Sequence, residues 1–251
     1  MGTWICHLRI AENLLPHLPE IDPITFTFGN LAPDSGIPNE DWTEFDPPKE
    51  VTHFLNKGEG EGYIRDLVYY REYLANLEAD KNLQKYSFRL GYFTHLICDV
   101  LWYYYLDDTM QAGYRELIEK DASKAWGLFK KDWYSLDQQY NQTHKEGLFW
   151  KVIFPNPNPP SFLPFVRENA LHQQYDYIRK FYSEYDPYWF EERTFPYLNA
   201  ATMDRLVEDM TQATLFILEN IKSAKHQDLQ SSFQLLPQAM QRPYEMPLGD
   251  V

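Results

Sequence analysis

Residues 84–106 read QKYSFRLGYFTHLICDVLWYYYL, and this stretch decides the fold. Its spacing predicts a helix that is apolar nearly all round, and such a helix belongs at the centre of a domain rather than on its surface. Upstream, Ile64, Leu67, Val68, Arg71 and Leu74 set a helical period over 61–80. Downstream, Asp107 or Asp108 is placed to cap a helix over 109–120, and another follows over 122–141. Residues 154–161, FPNPNPPS, form a proline-rich break. Helical spacing resumes over 161–184, a proline-punctuated piece follows at 187–197, and a last amphipathic helix spans 200–224.

At the other end, Trp4, Leu8, Ala11 and Leu15 line one stripe of a short helix over 4–15, with Thr3 as N-cap and Pro16 as stop. Residues 16–60 are rich in Pro, Gly, Asn and Asp and read as a long connection, ordered by its aromatics. No run of alternating strands is evident. The expected class is all-α: a single multi-helix domain over 1–226 and a C-terminal tail over 227–251 that drapes on the domain or is mobile.

The formal net charge of −14 repels phosphate backbones and anionic lipid, so neither a general nucleic-acid binder nor a peripheral binder of acidic membranes is expected. A phosphorylated small substrate remains compatible, because bound cations invert the local charge. Aromatic residues make up 17% of the chain, so much of the core, or of a groove, is aromatic. The two cysteines, Cys6 and Cys98, are too few for a disulfide scaffold and read as reduced thiols of a cytoplasmic protein. The opening MGTWICHLRIAENLL lacks the pattern of a signal peptide, and no apolar run is long enough to span a bilayer, so stable membrane anchoring is not expected.

The sharpest chemical signal is His95-Leu-Ile-Cys-Asp99. Positions i and i+4 share a helical face, so an imidazole and a carboxylate can meet one ion there. The apolar surroundings make an ionised Asp99 costly without a cation. The same pair also suits a His–Asp hydrogen bond packed in a core. Asp34, in Gly29-Asn-Leu-Ala-Pro-Asp34, reads either as an inward-aimed carboxylate or as an Asx-turn. His53 (Thr52-His53-Phe54) and His7, beside Cys6, read as structural residues or as ligands. Taken together, three histidines and two aspartates in apolar, ordered contexts make a donor set suited to zinc and similar ions. His17, His144 and His226 sit at polar boundaries, and Gly58-Glu-Gly-Glu-Gly62 is too acidic for a phosphate cradle. No Gly-x-Ser-x-Gly, P-loop or Cys-x-x-Cys occurs.

In order and local wording these pieces resemble the zinc-dependent phospholipase C family, which is related to zinc-dependent single-strand nucleases. The matching segments are Trp4-Ile-Cys-His7, Gly29–Asp34, Thr52-His53-Phe54 and Gly91-Tyr-Phe-Thr-His95-Leu-Ile-Cys-Asp99. The likeness is strongest to intracellular bacterial members; it covers 1–110 well and 160–185 loosely. It implies an all-helical fold with the metal site between helices. It implies that Asp99 bridges two metals, that His53 and His95 complete one site, that His7 joins Asp99 at the second, and that Asp34 is a ligand or general base. His172-Gln-Gln-Tyr-Asp176 resembles the family's third-site His-x-x-x-Glu pair, with Asp for Glu. Two features depart from the family pattern: Tyr105 stands where the family has a further His, and Trp4 is internal where secreted members use an N-terminal Trp amine. The expectation is therefore two zinc ions, within a range of one to three, with Asp107, Asp108 and Asp132 as substitute ligands.

The function so implied is metal-dependent hydrolysis of a small phosphoester or phospholipid. An HD-domain phosphohydrolase is the weaker enzymatic rival, because no His-Asp dipeptide occurs. The non-enzymatic rival is a helical metal- or ligand-binding protein that kept the fold without the catalysis.

Overall fold

The computed structural model describes residues 2–41, 43–191, 195, 198–222 and 226–241; for residues 107–116 it describes the helix but not the side chains. Seven α-helices follow in order among these residues. They are α1 (Trp4–Leu14), α2 (Pro23–Leu31), α3 (Lys49–Thr52), α4 (Asp66–Tyr69), α5 (Leu83–Thr143), α6 (Glu168–Ser183) and α7 (Ala200–Asn220). A π-helical turn, Tyr70–Leu74, extends α4. Two-residue strands β1 (Ile37–Pro38) and β2 (Phe45–Asp46) pair antiparallel in the loop between α2 and α3. The class is all-α.

Helix α5 starts at Asn82, whose side chain accepts from the Lys85 amide. From Leu90 to Trp102 every residue is buried, as an all-round apolar segment requires. Two of the helices expected from the sequence run on as one through residues 107 and 108, and the break comes at Asp121, whose φ of −162° and ψ of 89° are not helical.

Helix α2 lies within the stretch read as a connection. Asp22 caps it by accepting from the Thr25 amide, and Pro23 takes the first turn, where no amide partner is needed. Its alternating Ile-Thr-Phe-Thr-Phe hides a helix, because β-branched and aromatic residues at period two suggest a strand. Tertiary contact overrides that preference. Gly29 of α2 and Gly91 of α5 let the backbones touch: a Cβ at Gly91 would lie 2.1 Å from the Phe26 carbonyl oxygen, and one at Gly29 would lie 2.0 Å from that of Phe88. Only glycine permits this crossing.

Helices α1 and α7 pack on α5 and on each other. Residues 227–241 lie on the domain. Ser232 bonds the buried Asp66 carboxylate through its amide and hydroxyl, Phe233 stacks on Tyr104, and Tyr105 donates to the Met240 carbonyl at 2.8 Å. No described helix is long and apolar enough to cross a membrane. Cys6 and Cys98 are free and buried, and burial pushes the Cys6 thiol up to about 12.

Candidate metal centre

Helix α5 presents His95 and Asp99 one turn apart in its fully buried segment. The close crossing of α2 then settles how His95 is held. The Asn30 carbonyl, near the α2 C-terminus, lies 2.8 Å from His95 Nδ1. A carbonyl only accepts, so Nδ1 carries the proton and Nε2 is left as the ligating nitrogen. Asn30 is itself tied to α5 by a 2.9 Å bond from Nδ2 to Thr94 Oγ1.

Around Asp99 the chain gathers two more imidazoles and a second carboxylate. His7, on the first turn of α1, places Nε2 3.2 Å from Asp99 Oδ1, and its ring stacks on His95 at 3.9 Å and 6°. His53 follows α3, where the Thr52 carbonyl accepts the Tyr92 hydroxyl at 2.6 Å and Thr52 Oγ1 lies 2.9 Å from His53 Nδ1. Its Nε2 is 3.4 Å from Asp99 Oδ2 and 3.5 Å from Asp34 Oδ1. His95 Nε2 is also 3.4 Å from Asp99 Oδ2. Asp34 ends the 3₁₀ turn that prolongs α2 and is the one slightly exposed member, at 12%.

Two overlapping ligand groups result. His7, His95 and Asp99 form one, and Asp34, His53 and His95 the other; in each, one donor atom per residue lies within 4.8 Å of the rest. The burial is severe for so polar a cluster. His7 Nδ1 and Nε2, His53 Nε2, His95 Nε2 and Asp99 Oδ2 are all buried without a hydrogen-bond partner. Four residues, His7, His53, His95 and Asp99, each bring an orphaned polar atom to one small volume, which is expensive unless a cation joins them. The donors present therefore fit a borderline divalent ion such as zinc.

The charges respond accordingly. Burial and the neighbouring His95 hold His7 below the usual imidazole range. Burial also disfavours charge on His53, but Asp34 and Asp99 outweigh it and raise that imidazole. Burial alone would raise Asp99; His95, His53 and His7 together push its carboxyl well below the ordinary range.

The cluster opens at Asp34 into a cleft of about 620 Å³, walled by Trp4, Trp102, Trp126, Trp133, Tyr134 and Trp189 among others. The aromatic run at 102–105 thus divides: Trp102 and Tyr103 line the cleft, while Tyr105 faces the C-terminal segment.

Not every residue read from the sequence joins the cluster. His172 and Asp176 lie on α6 and turn to the proline-rich segment: His172 Nε2 is 3.0 Å from the Pro159 carbonyl, and Asp176 accepts from Arg179 at 2.9 Å and Asn158 at 3.3 Å. The pair is a strap for the loop, and no third ligand group includes it among the described residues. Asp132 is buried elsewhere and accepts the Leu198 amide at 3.3 Å. The side chains of Asp107 and Asp108 lie outside the described residues. Conversely, sequence spacing alone does not reveal Asn30 as the orienting carbonyl, nor Asp137, which accepts from Thr3 at 2.6 Å and Tyr182 at 2.5 Å. These partners are too far apart in the chain to leave a local pattern.

Residues 6–103 match the family described as zinc dependent phospholipase C, and this supports membership of that family. No curated protein and no solved structure matches the chain. The matched span holds all five residues of the cluster. Family and cluster together support a metal-dependent, phospholipase-like role.

Proposed function

We propose that the protein is a zinc-dependent phosphoesterase of the phospholipase C type, cleaving a small phosphoester or phospholipid, with His7, Asp34, His53, His95 and Asp99 holding two zinc ions. The observation that carries this reading is the set of orphaned imidazole and carboxylate atoms facing one buried volume. The chemistry supplied by bound zinc is Lewis acidity, which acidifies water and offsets charge on phosphoryl oxygens. The rest is done by the chain. Asn30 holds His95 in one tautomer. Asp99 turns Oδ1 to His7 and Oδ2 to His53 and His95, and His95 is common to the two ligand groups. Asp34, at the mouth of the cleft, takes the proton from the attacking water. The aromatic walls hold the non-reacting part of the substrate and exclude bulk water.

A cytoplasmic location belongs to this proposal and leans on the two free, buried thiols. A second reading, a metal-binding protein without catalysis, is favoured by one observation: the third-site pair His172 and Asp176 faces away from the cluster.

Elemental analysis of untagged protein, followed by a panel of chromogenic phosphate esters, separates these readings. Two zinc ions per chain with ester cleavage are expected. Zinc without cleavage of any ester would favour the binding protein, and protein that takes up no zinc would sink both.

A further inference from the structure

Three consecutive residues at the start of α1 each donate to a different carboxylate. The Gly2 amide donates to Asp99 Oδ1 at 3.0 Å, Thr3 Oγ1 to Asp137 Oδ1 at 2.6 Å, and Trp4 Nε1 to Asp34 Oδ2 at 2.8 Å. Two of those carboxylates belong to the cluster, and the third fixes the segment that reaches them. Thr3 occupies the N-cap position of α1 but makes no capping bond, because its hydroxyl is committed to Asp137. Asp137 is fully buried and also accepts the Tyr182 hydroxyl, so the tether is anchored in the core.

Trp4 is held with matching care. Tyr177, Phe181 and Tyr182 meet its ring edge-on at 5.8–6.2 Å, and Tyr134 meets it tilted at 6.1 Å. Tyr134 comes from the part of α5 beyond its break at Asp121, and the other three rings come from α6, so the position of the indole N–H is set by segments that carry no member of the cluster. Asp34, in contrast, ends a short 3₁₀ turn and is the least buried ligand candidate. Its two oxygens face different partners. Oδ1 lies 3.5 Å from His53 Nε2, and Oδ2 is taken by Trp4.

We propose that Trp4 is a positioning residue for Asp34: its indole N–H holds the outer carboxylate oxygen so that the inner one stays turned to His53 and completes the second ligand group. The inference rests on the zinc reading. It adds that geometry at the least rigid ligand is imposed from the aromatic wall of the cleft. A ligating carboxylate without its outer hydrogen bond swings between rotamers, and loss of such a partner ordinarily costs about 10–100-fold in metal affinity or activity.

Trp4→Phe removes the N–H and keeps a ring among the four aromatics. Cobalt(II)-substituted protein, chelator competition for zinc and steady-state kinetics read the effect. A changed cobalt d–d spectrum, a weaker second zinc equivalent by about tenfold, and a kcat lowered by about tenfold with KM little changed are expected. A cobalt spectrum and zinc affinity identical to the wild type would overturn the proposal. So would a rise in KM alone, which marks a cleft wall and nothing more. Wild-type protein that takes up neither cobalt nor zinc removes the zinc reading itself, an outcome distinct from either. The contact is also tested without metal, and without relying on the folding of the Trp4 variant. The Trp4 indole N–H resonance moves upfield in Asp34→Ala protein if the bond exists, and an unmoved resonance refutes it.

Discussion

Two His-x-x-x-Asp pairs stand on two helices of this chain, and they end in opposite states. His95 and Asp99 are both fully buried, with Nε2 of the imidazole and Oδ2 of the carboxylate left without partners. His172 and Asp176 have the same spacing, but Asp176 is 67% exposed and both are engaged by the loop at 156–159. The difference lies outside the pairs. The first sits on a helix buried all round, where two further imidazoles and a carboxylate arrive from other segments. The second sits on an amphipathic helix whose polar face has solvent and a loop to satisfy it. Shared spacing supplies a common face; what that face meets supplies the chemistry.

The widest separation between the pairs is expected in metal content. Asp99→Ala removes the carboxylate that faces all three imidazoles of the cluster and abolishes zinc retention, whereas Asp176→Ala leaves the zinc count of the wild type; elemental analysis reads both. Zinc lost equally in the two variants would erase the distinction. Next is the crossing that orients His95. Gly91→Ala would drive a Cβ into the Phe26 carbonyl, forcing α2 off α5 at a cost of about 3 kcal/mol, read as a lower urea midpoint together with weaker zinc binding.

The effect of pH comes third. Zinc binds neutral imidazole, and the carboxylates hold His53 above the usual imidazole range, so affinity falls as pH drops through that raised value. For metal-free protein the sign reverses. A raised imidazole contributes stability that is complete below its unfolded value near 6.5 and is lost as pH rises through the folded one. Calorimetric titration with zinc over pH 5–8 reads the first trend. Because His7, held low, gives metal-free protein the opposite slope, the His53 contribution is read as the difference in thermal melts between chelated wild type and His53→Ala, and a difference that grows as pH rises would contradict the charge assignment. The smallest effect belongs to the surface pair. His172→Ala loses one hydrogen bond to the loop and about 1 kcal/mol of stability, with zinc binding intact.

Much of the fold was legible because hydrophobic period and burial are local matters. The all-round apolar run at 84–106 demands the centre, and α1, α6 and α7 show their faces in their own spacing. Helix α2 did not, because Pro, Gly, Asn and Asp around it read as a connection, and its helix is fixed by the contact that Gly29 and Gly91 allow with α5. Of the cluster, the four segments carrying His7, Asp34, His53 and the His95–Asp99 pair could be picked out, each with a bland alternative that spacing could not remove.

What the sequence by itself determined is the donor set and the helical class: residue types, their apolar flanks, and one turn of spacing between His95 and Asp99. What only the tertiary structure decided is which donors meet. It brought five of them into one dry volume, turned His172 and Asp176 away, and set Trp4 and Asn30 behind the ligands. The physical reason is that spacing along a helix is fixed by its 3.6-residue turn, whereas the cost of a buried unpaired charge depends on everything packed around it.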